Sequence, residues 1–281
     1  MKYSKIKSFA KINLALNVNG KNFFLHKIES IIAFVDLYDV ILIKSIKSKK
    51  HVISFGGKFS KNISKKNTVS KLLEILEKKG LLRNKKFKIK INKKIPHKAG
   101  LGGGSMNAAS IFKFFFKKRI IKASKKEIIL ISKLVGSDVV LGLNSTNCIL
   151  NSSNKIKYFN NCKKIHVLIV KPNFGCSTKK IYSKVKKFTK PKFNKPSKNM
   201  FDLNYLKKMT NSLEQIAFSE YSKLKSIKIY LESLSKPFFV RMTGSGSALV
   251  AYFQSKESCL NAKKIINKKY KNYWCIASKT I

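Results

Sequence analysis

At 281 residues the chain has room for one large domain or two modest ones, and a 44% apolar content supports a proper core. Its formal net charge of +49 raises a nucleic-acid or anionic-membrane partner. Lysine carries nearly all of that charge; Arg83, Arg119 and Arg241 are the only arginines, which argues against a dedicated reader of bases and phosphates.

Residues 4–18 alternate with period two and predict a strand, with Lys11 and Asn13 on one face. Asn19-Gly20 predicts a hairpin turn. Strands are predicted over 28–35, 40–46 and 51–55, with turns at residues 36–39 and at Gly56-Gly57. The apolar stripe Val69, Leu72, Leu73, Ile75, Leu76 predicts a helix over 67–79, with Gly80 as its C-cap. Residues 87–91 predict a strand. A Gly-rich loop follows, then an apolar helical pattern from Ala108 to about Lys118. Ser124 with Glu127 three residues on is a capping box for a helix ending at Gly136. Cys148 to Leu150 and Ile156 to Phe159 predict a short hairpin closing a first domain, 1–160.

The second domain, 161–281, opens with an apolar strand over 165–170. A loop and a helix starting at Ser177 or Thr178 come next. The Lys-, Pro- and Asn-rich stretch 188–199 predicts a solvated, mobile loop. Helices are predicted over 203–218 and 221–234, strands over 238–242 and 248–253 around a second Gly-rich turn at 243–247, then a helix to Lys269 and a last strand over 273–277. The fold class is α+β.

Ile95-Pro96-His97-Lys98-Ala99-Gly100-Leu101-Gly102-Gly103-Gly104-Ser105-Met106-Asn107 is the most informative stretch. Glycines let several backbone N–H groups converge on one point, and the start of the following helix favours an anion. The stretch therefore reads as a phosphate cradle. It is not a P-loop, because no Lys follows the last Gly, nor a dinucleotide fingerprint, because Ser105 stands where that pattern needs Gly. Acids number only 12, so Asp138, beside Gly136 at the start of an apolar run, is conspicuous. Taken alone it reads rather as a helix cap or a satisfied structural acid, and Lys11 alone reads as one lysine among many. Together with a cradle they make a cation and a proton acceptor for phosphoryl transfer to a hydroxyl. His26, His51, His97 and His166 do not fall at metal-ligand spacing, and no metal site is expected. Five scattered cysteines and no apolar leader predict free thiols and a cytoplasmic location, with no membrane span.

Three segments, Ala10-Lys11-Ile12-Asn13-Leu14, the Gly-rich stretch through Asn107-Ala108-Ala109, and Arg241-Met242-Thr243-Gly244-Ser245-Gly246-Ser247, together resemble the GHMP kinase superfamily. His26 followed by an apolar strand and Asp36-Leu37-x-Asp39 favours the members that phosphorylate a cytidine-diphosphate methylerythritol over galactokinase, homoserine kinase or mevalonate kinase. The resemblance implies a ribosomal-S5-like first domain that binds ATP and a ferredoxin-like second domain on the substrate side. It implies ATP with Mg²⁺ as the nucleotide complex, a small-molecule acceptor, a monomer or homodimer, and no specific nucleic-acid partner. Asp138 would be the base and Lys11 would hold the acceptor hydroxyl and the ionised carboxylate. Pro96, Ala99, Gly100, Leu101, Gly102, Gly103, Gly104, Ser105, Asn107 and Asn67 would bind the nucleotide. Asn13, His26, Phe174, Thr178, Gly244 and Ser245 would face the substrate. The chain departs from the family pattern at Leu25 (commonly Tyr), Met106 (usually Ser), Val139-Val140 (Pro-Phe) and Ser212 (Asp). A homoserine- or mevalonate-type kinase is the alternative within the superfamily, and a basic RNA-binding protein the alternative outside it.

Overall fold

The computed structural model describes residues 2–22, 26–234 and 236–281; Leu25 lies outside them. Two compact units divide the chain. Met1–Ala10, Leu37–Pro96 and Gly102–Ser145 form one; Lys11–Asp36, His97–Leu101 and Thr146–Ile281 form the other. Strands β1 (Ser4–Lys21) and β2 (His26–Ile46) pair with each other, and the chain passes from unit to unit within each. β1 continues through Asn19-Gly20, so the predicted hairpin turn does not fall there. β2 likewise does not turn at residues 36–39. Leu37 and Asp39 are buried while Asp36 is exposed and Tyr38 half-buried, so the period-two alternation simply carries on. The buried Asp39 is tolerated because Lys93 pairs with it and two backbone amides donate to it.

In the first unit, β3 (Val52–Gly56) runs parallel to β4 (Lys86–Asn92), and β4 pairs antiparallel with β2 from Val40 opposite Asn92 to Ile46 opposite Lys86. The sequence of β4 explains its orientation. Phe87, Ile89 and Ile91 are buried and alternate with lysines that are half-buried or exposed. Four helices pack their apolar faces with these residues: α1 (Thr68–Lys78), α2 (Gly103–Lys117), α3 (Lys125–Val135) and α4 (Val139–Gly142). The expected Ser124–Glu127 capping box of α3 is present. α4 approaches α2 closely because Gly142 has no side chain; a Cβ there would lie 2.7 Å from the Cβ of Ala109.

In the second unit, the first part of β2 pairs with β5 (Cys148–Leu150), and β5 with β6 (Ile156–Tyr158). A separate antiparallel sheet has the order β10-β7-β9-β8, built from β7 (His166–Lys171), β8 (Phe239–Met242), β9 (Leu249–Phe253) and β10 (Trp274–Lys279). In chain order this is strand 4, 1, 3, 2 with helices after the first and third, the ferredoxin-like pattern. Its helices are α5 (Thr178–Ser183), α6 (Leu203–Lys207), α7 (Glu214–Glu220), α8 (Ser222–Ser233) and α9 (Lys256–Lys269).

Two expectations in this unit are corrected. The helix predicted over 203–218 is broken into α6 and α7, because tertiary partners take its middle. The Leu16 amide donates to Thr210 O at 3.0 Å, the Ser212 amide donates to Leu16 O at 2.8 Å, and the Arg241 guanidinium binds the carbonyls of Leu206 and Met209. The stretch 188–199 is tied down rather than solvated and free. Phe193 is fully buried, and the buried Glu29 carboxylate accepts the amides of Lys192 (2.7 Å) and Phe193 (3.0 Å). All five cysteines are free thiols; burial pushes Cys176 and Cys259 up to about 11 and Cys275 to about 12, so none of these three is a thiolate nucleophile at neutral pH. Among the described residues no helix is long and apolar enough to cross a membrane.

Candidate active site

The Gly-rich stretch differs from its predicted form. Its helix begins at Gly103, not near Ala108, and the N-cap is Gly102 with φ 67°, a left-handed conformation that favours glycine. The first helical bond is from the Met106 amide to Gly102 O at 2.9 Å. The amides of Gly103, Gly104 and Ser105 therefore precede the helical ladder, which is the arrangement that attracts an anion. The Thr68 hydroxyl donates to Gly104 O at 2.7 Å and pins this first turn to the start of α1. Thr68 was not legible as a site residue, because a Thr after a cap carries no sequence signal of its partner.

Asn67 caps α1. Its Oδ1 accepts the amides of Val69 and Ser70 at 3.0 and 3.1 Å, and its Nδ2 donates to Ser64 O at 2.9 Å. Asn107 is 1% exposed, and its Oδ1 has no hydrogen-bond partner among the described residues. A buried acceptor left unsatisfied at the start of a helix is a position that calls for a donor. Met106 turns into the core instead of toward the cradle. It is buried, and its Sδ would lie 2.9 Å from a Cβ on Gly142.

Asp138 precedes α4, yet its side chain makes no capping bond to that helix. Side-chain capping of α4 is therefore not its role. The turn that carries Asp138 lies against the cradle: a Cβ on Gly136 would be 3.9 Å from Ser105 Oγ. Asp138 is half-buried as a residue. The start of α2 and the turn that carries the candidate base are thus neighbours in the first unit.

The second unit gathers the other candidates. Lys11 and Asn13 share a face of β1, as predicted, and both are buried. Lys11 Nζ donates to Asn13 Oδ1 at 2.6 Å, Asn13 Nδ2 donates to Ser30 Oγ at 2.8 Å, and Ser30 Oγ donates to Ala15 O at 2.5 Å. Thr243 ties this chain to both Gly-rich segments: its hydroxyl accepts the Asn13 amide at 2.9 Å and donates to Gly100 O at 3.3 Å. The Lys11 amide donates to Leu101 O at 3.1 Å, and the amides of Ser247 and Ala248 donate to the carbonyls of Lys98 and Ala99. Asn211 steadies the second Gly-rich turn by donating to Met242 O and Gly244 O, each at 2.8 Å. The Arg241 guanidinium is bound to backbone carbonyls and lies over the Phe239 ring, so its place in the motif is structural.

Gly100 shows how tight this packing is. Its φ is +73°, and a Cβ would fall 2.0 Å from Thr243 O, a backbone atom that cannot swing away. Gly100→Ala is expected to cost about 2–4 kcal/mol of stability from left-handed strain plus the clash. Gly80→Ala is the control, since Gly80 has φ +67° with nothing within 4 Å of its Cβ position. Urea midpoints for the two variants should differ clearly; equal midpoints would show that the Thr243 contact is not tight.

The substrate-side candidates form two groups. Thr178 and Ser245 share a hydroxyl–hydroxyl bond of 2.8 Å, and Ser247 Oγ donates to Phe174 O at 2.7 Å. Phe174 stacks on Tyr221 with ring centroids 5.9 Å apart and 12° between planes. His26 contacts Tyr182 at 5.1 Å between ring centroids. Burial, with Lys21 adding to it, holds the His26 imidazole below its ordinary value, so it is neutral at neutral pH. Tyr182 and Tyr221 were not among the predicted residues; each sits in a short helical stretch whose spacing reads as ordinary core. Among the described residues no three His, Cys, Asp or Glu side chains cluster as metal ligands would.

Comparison with known proteins places the chain in a family. The family described as GHMP kinases N terminal domain matches residues 67–150, which contain α1, the cradle and Asp138. A 4-diphosphocytidyl-2-C-methyl-D-erythritol kinase from Pelagibacter ubique (strain HTCC1062) is 56% identical over 277 residues, covering 99% of each chain. One of the same name from Clostridium perfringens (strain 13 / Type A) is 32% identical, covering 95% of this chain and 94% of that one. Among solved structures, a 4-(cytidine 5'-diphospho)-2C-methyl-D-erythritol kinase shares the fold with TM-score 0.78 at 20% identity, over 99% of this chain and 100% of that one. A homoserine kinase from Cytophaga hutchinsonii follows at 0.70 and 15%, over 99% and 94%. With a relative of that identity spanning the whole length, this chain belongs to the 4-diphosphocytidyl-2-C-methyl-D-erythritol kinase family of the GHMP kinases.

Proposed function

We propose that the chain transfers the γ-phosphoryl group of ATP to the 2-hydroxyl of 4-(cytidine 5'-diphospho)-2-C-methyl-D-erythritol, a step in non-mevalonate isoprenoid precursor synthesis. The observation that carries the chemistry is local to the first unit. The three amides ahead of the α2 ladder suit a polyphosphate, and a carboxylate not used as a cap stands on the turn beside Ser105. The choice of acceptor rests on the two relatives of that name.

In this reading residues 1–160 carry ATP binding and catalysis, and 161–281 the substrate side. Asp138 accepts the hydroxyl proton as the oxygen attacks the γ-phosphorus. The bond from that phosphorus to the bridging oxygen breaks and ADP leaves. Lys11 stabilises the negative charge developing on the acceptor oxygen, and Asn13 fixes the direction of its ammonium. The amides of Gly103, Gly104 and Ser105 hold phosphate oxygens. Mg²⁺ bound to the nucleotide would offset charge on its phosphates, and the Ser105 hydroxyl at the start of α2 would be available to that complex. His26, Phe174, Thr178, Gly244 and Ser245 hold the cytidylyl substrate, with Tyr182 and Tyr221 backing the first two rings. The test is turnover with ATP and Mg²⁺ across the cytidylyl substrate, homoserine and mevalonate. Phosphorylation of the first alone is expected. Transfer to either of the others, and not to the first, would overturn the choice of acceptor.

A further inference from the structure

Directly beneath the cradle lies a buried ion pair that the phosphoryl-transfer reading does not use. Asp39 is fully buried in β2, and the Lys93 side chain at the end of β4 is 3% exposed. Asp39 Oδ2 pairs with Lys93 Nζ. Asp39 Oδ1 accepts the amides of Lys94 at 2.7 Å and Ile95 at 2.9 Å. One carboxylate thus grips three successive residues just before Pro96. The backbone of Lys93 is fixed as well, since its amide donates to Gly56 O at 2.7 Å and its carbonyl accepts the Phe59 amide at 3.4 Å. Gly57 makes room for this approach: a Cβ there would lie 2.1 Å from Asn92 Oδ1 and 2.8 Å from Lys93 O.

The ammonium that results is aimed at one place. A Cβ on Gly103 would be 3.3 Å from Lys93 Nζ and 2.9 Å from Ile95 Cγ2. Gly103 is the first residue of α2, whose amide end already carries partial positive charge. Two positive features this close repel each other in a poorly solvated region, and a single carboxylate offsets only one of them. Burial lowers the Lys93 pKa, and Asp39 opposes that and favours the ammonium. An anion at the helix start would compensate the remaining positive field.

We propose that Lys93, oriented by Asp39, is a positioning residue for the nucleotide: its ammonium beneath Gly103 strengthens the hold of the cradle on polyphosphate without touching it. This rests on the reading of the cradle as the ATP phosphate site. A purely structural ion pair predicts something different, because replacing both members of a buried pair by neutral groups of similar size commonly restores stability.

The experiment compares wild type, Lys93→Met, Asp39→Asn, the double variant, and Gly104→Val as a cradle control. Each is measured for urea midpoint and, by calorimetry, for the Kd of ATP, ADP and adenosine. Asp39→Asn should lose stability, because it leaves a buried ammonium poorly compensated. The double variant should regain the wild-type midpoint yet bind ATP and ADP about tenfold more weakly, with adenosine unchanged. If the double variant recovers both stability and ATP affinity, the pair is structural and the proposal is wrong. A uniform loss for ATP, ADP and adenosine also overturns it, since a charge effect needs phosphate. If Gly104→Val leaves ATP affinity intact, the cradle reading itself falls and this inference with it. Loss in that control with none in the double variant removes the inference alone.

Discussion

Asp138→Asn is expected to lower turnover by about 100-fold or more while ATP still binds with near wild-type affinity. The substitution keeps size and hydrogen-bonding capacity but removes the group able to take a proton at neutral pH. The Asp138 side chain makes no cap bond to α4, and the bond from the Leu141 amide at 3.2 Å is to its backbone oxygen, which Asn retains. Asn keeps the size of Asp and one acceptor oxygen, so a urea midpoint measured beside turnover separates loss of the base from any loss of stability. Turnover within a few-fold of wild type, measured at saturating ATP and substrate, would remove Asp138 as the base. A large loss of stability would show that the carboxylate has a structural duty.

Lys11→Met should cause a loss of similar size, about 100-fold in turnover, for a different reason. Lys11 is buried with its ammonium on Asn13 Oδ1. Met fills the same space but supplies neither charge nor donor, so Asn13 Oδ1 is left without its partner. That costs about 1–3 kcal/mol of stability, which complicates a single comparison. Lys11→Gln separates the two effects. A Gln amide can still donate to Asn13, so stability should largely return, while turnover should stay as low as in Lys11→Met. If turnover returns with stability, Lys11 merely holds Asn13 in place, and its charge is no part of the reaction.

How much was legible in the sequence can be judged from particular residues. Periodicity found β4 and the α1 stripe, because each buries one face with a fixed period. The capping box at Ser124 and Glu127 was legible because all its parts lie within four residues. The start of α2 was placed too late. Glycines lower helix propensity, and propensity alone hides that Gly102 in a left-handed conformation is a natural boundary. The turn expected at residues 36–39 failed because two acids in a row of apolar residues look like a loop. The partner that makes Asp39 tolerable, Lys93, is 54 residues away.

The resemblance of three motifs pointed to the family. The sequence by itself determined the α+β class and the sharing of one strand face by Lys11 and Asn13, and it reads the Gly-rich stretch as an anion cradle. These follow from short-range rules: side-chain period, helix-terminus chemistry, and glycine where backbone must approach backbone. Only the tertiary structure decided four further points. Asp138 makes no side-chain capping bond to α4. Asn67 caps α1 with its side chain. The predicted helix over 203–218 gives way to Arg241 and Leu16, and the stretch 188–199 is clamped by Glu29. Each depends on which distant donor reaches which acceptor, and a buried polar group takes the partner that folding delivers, however far along the chain it lies.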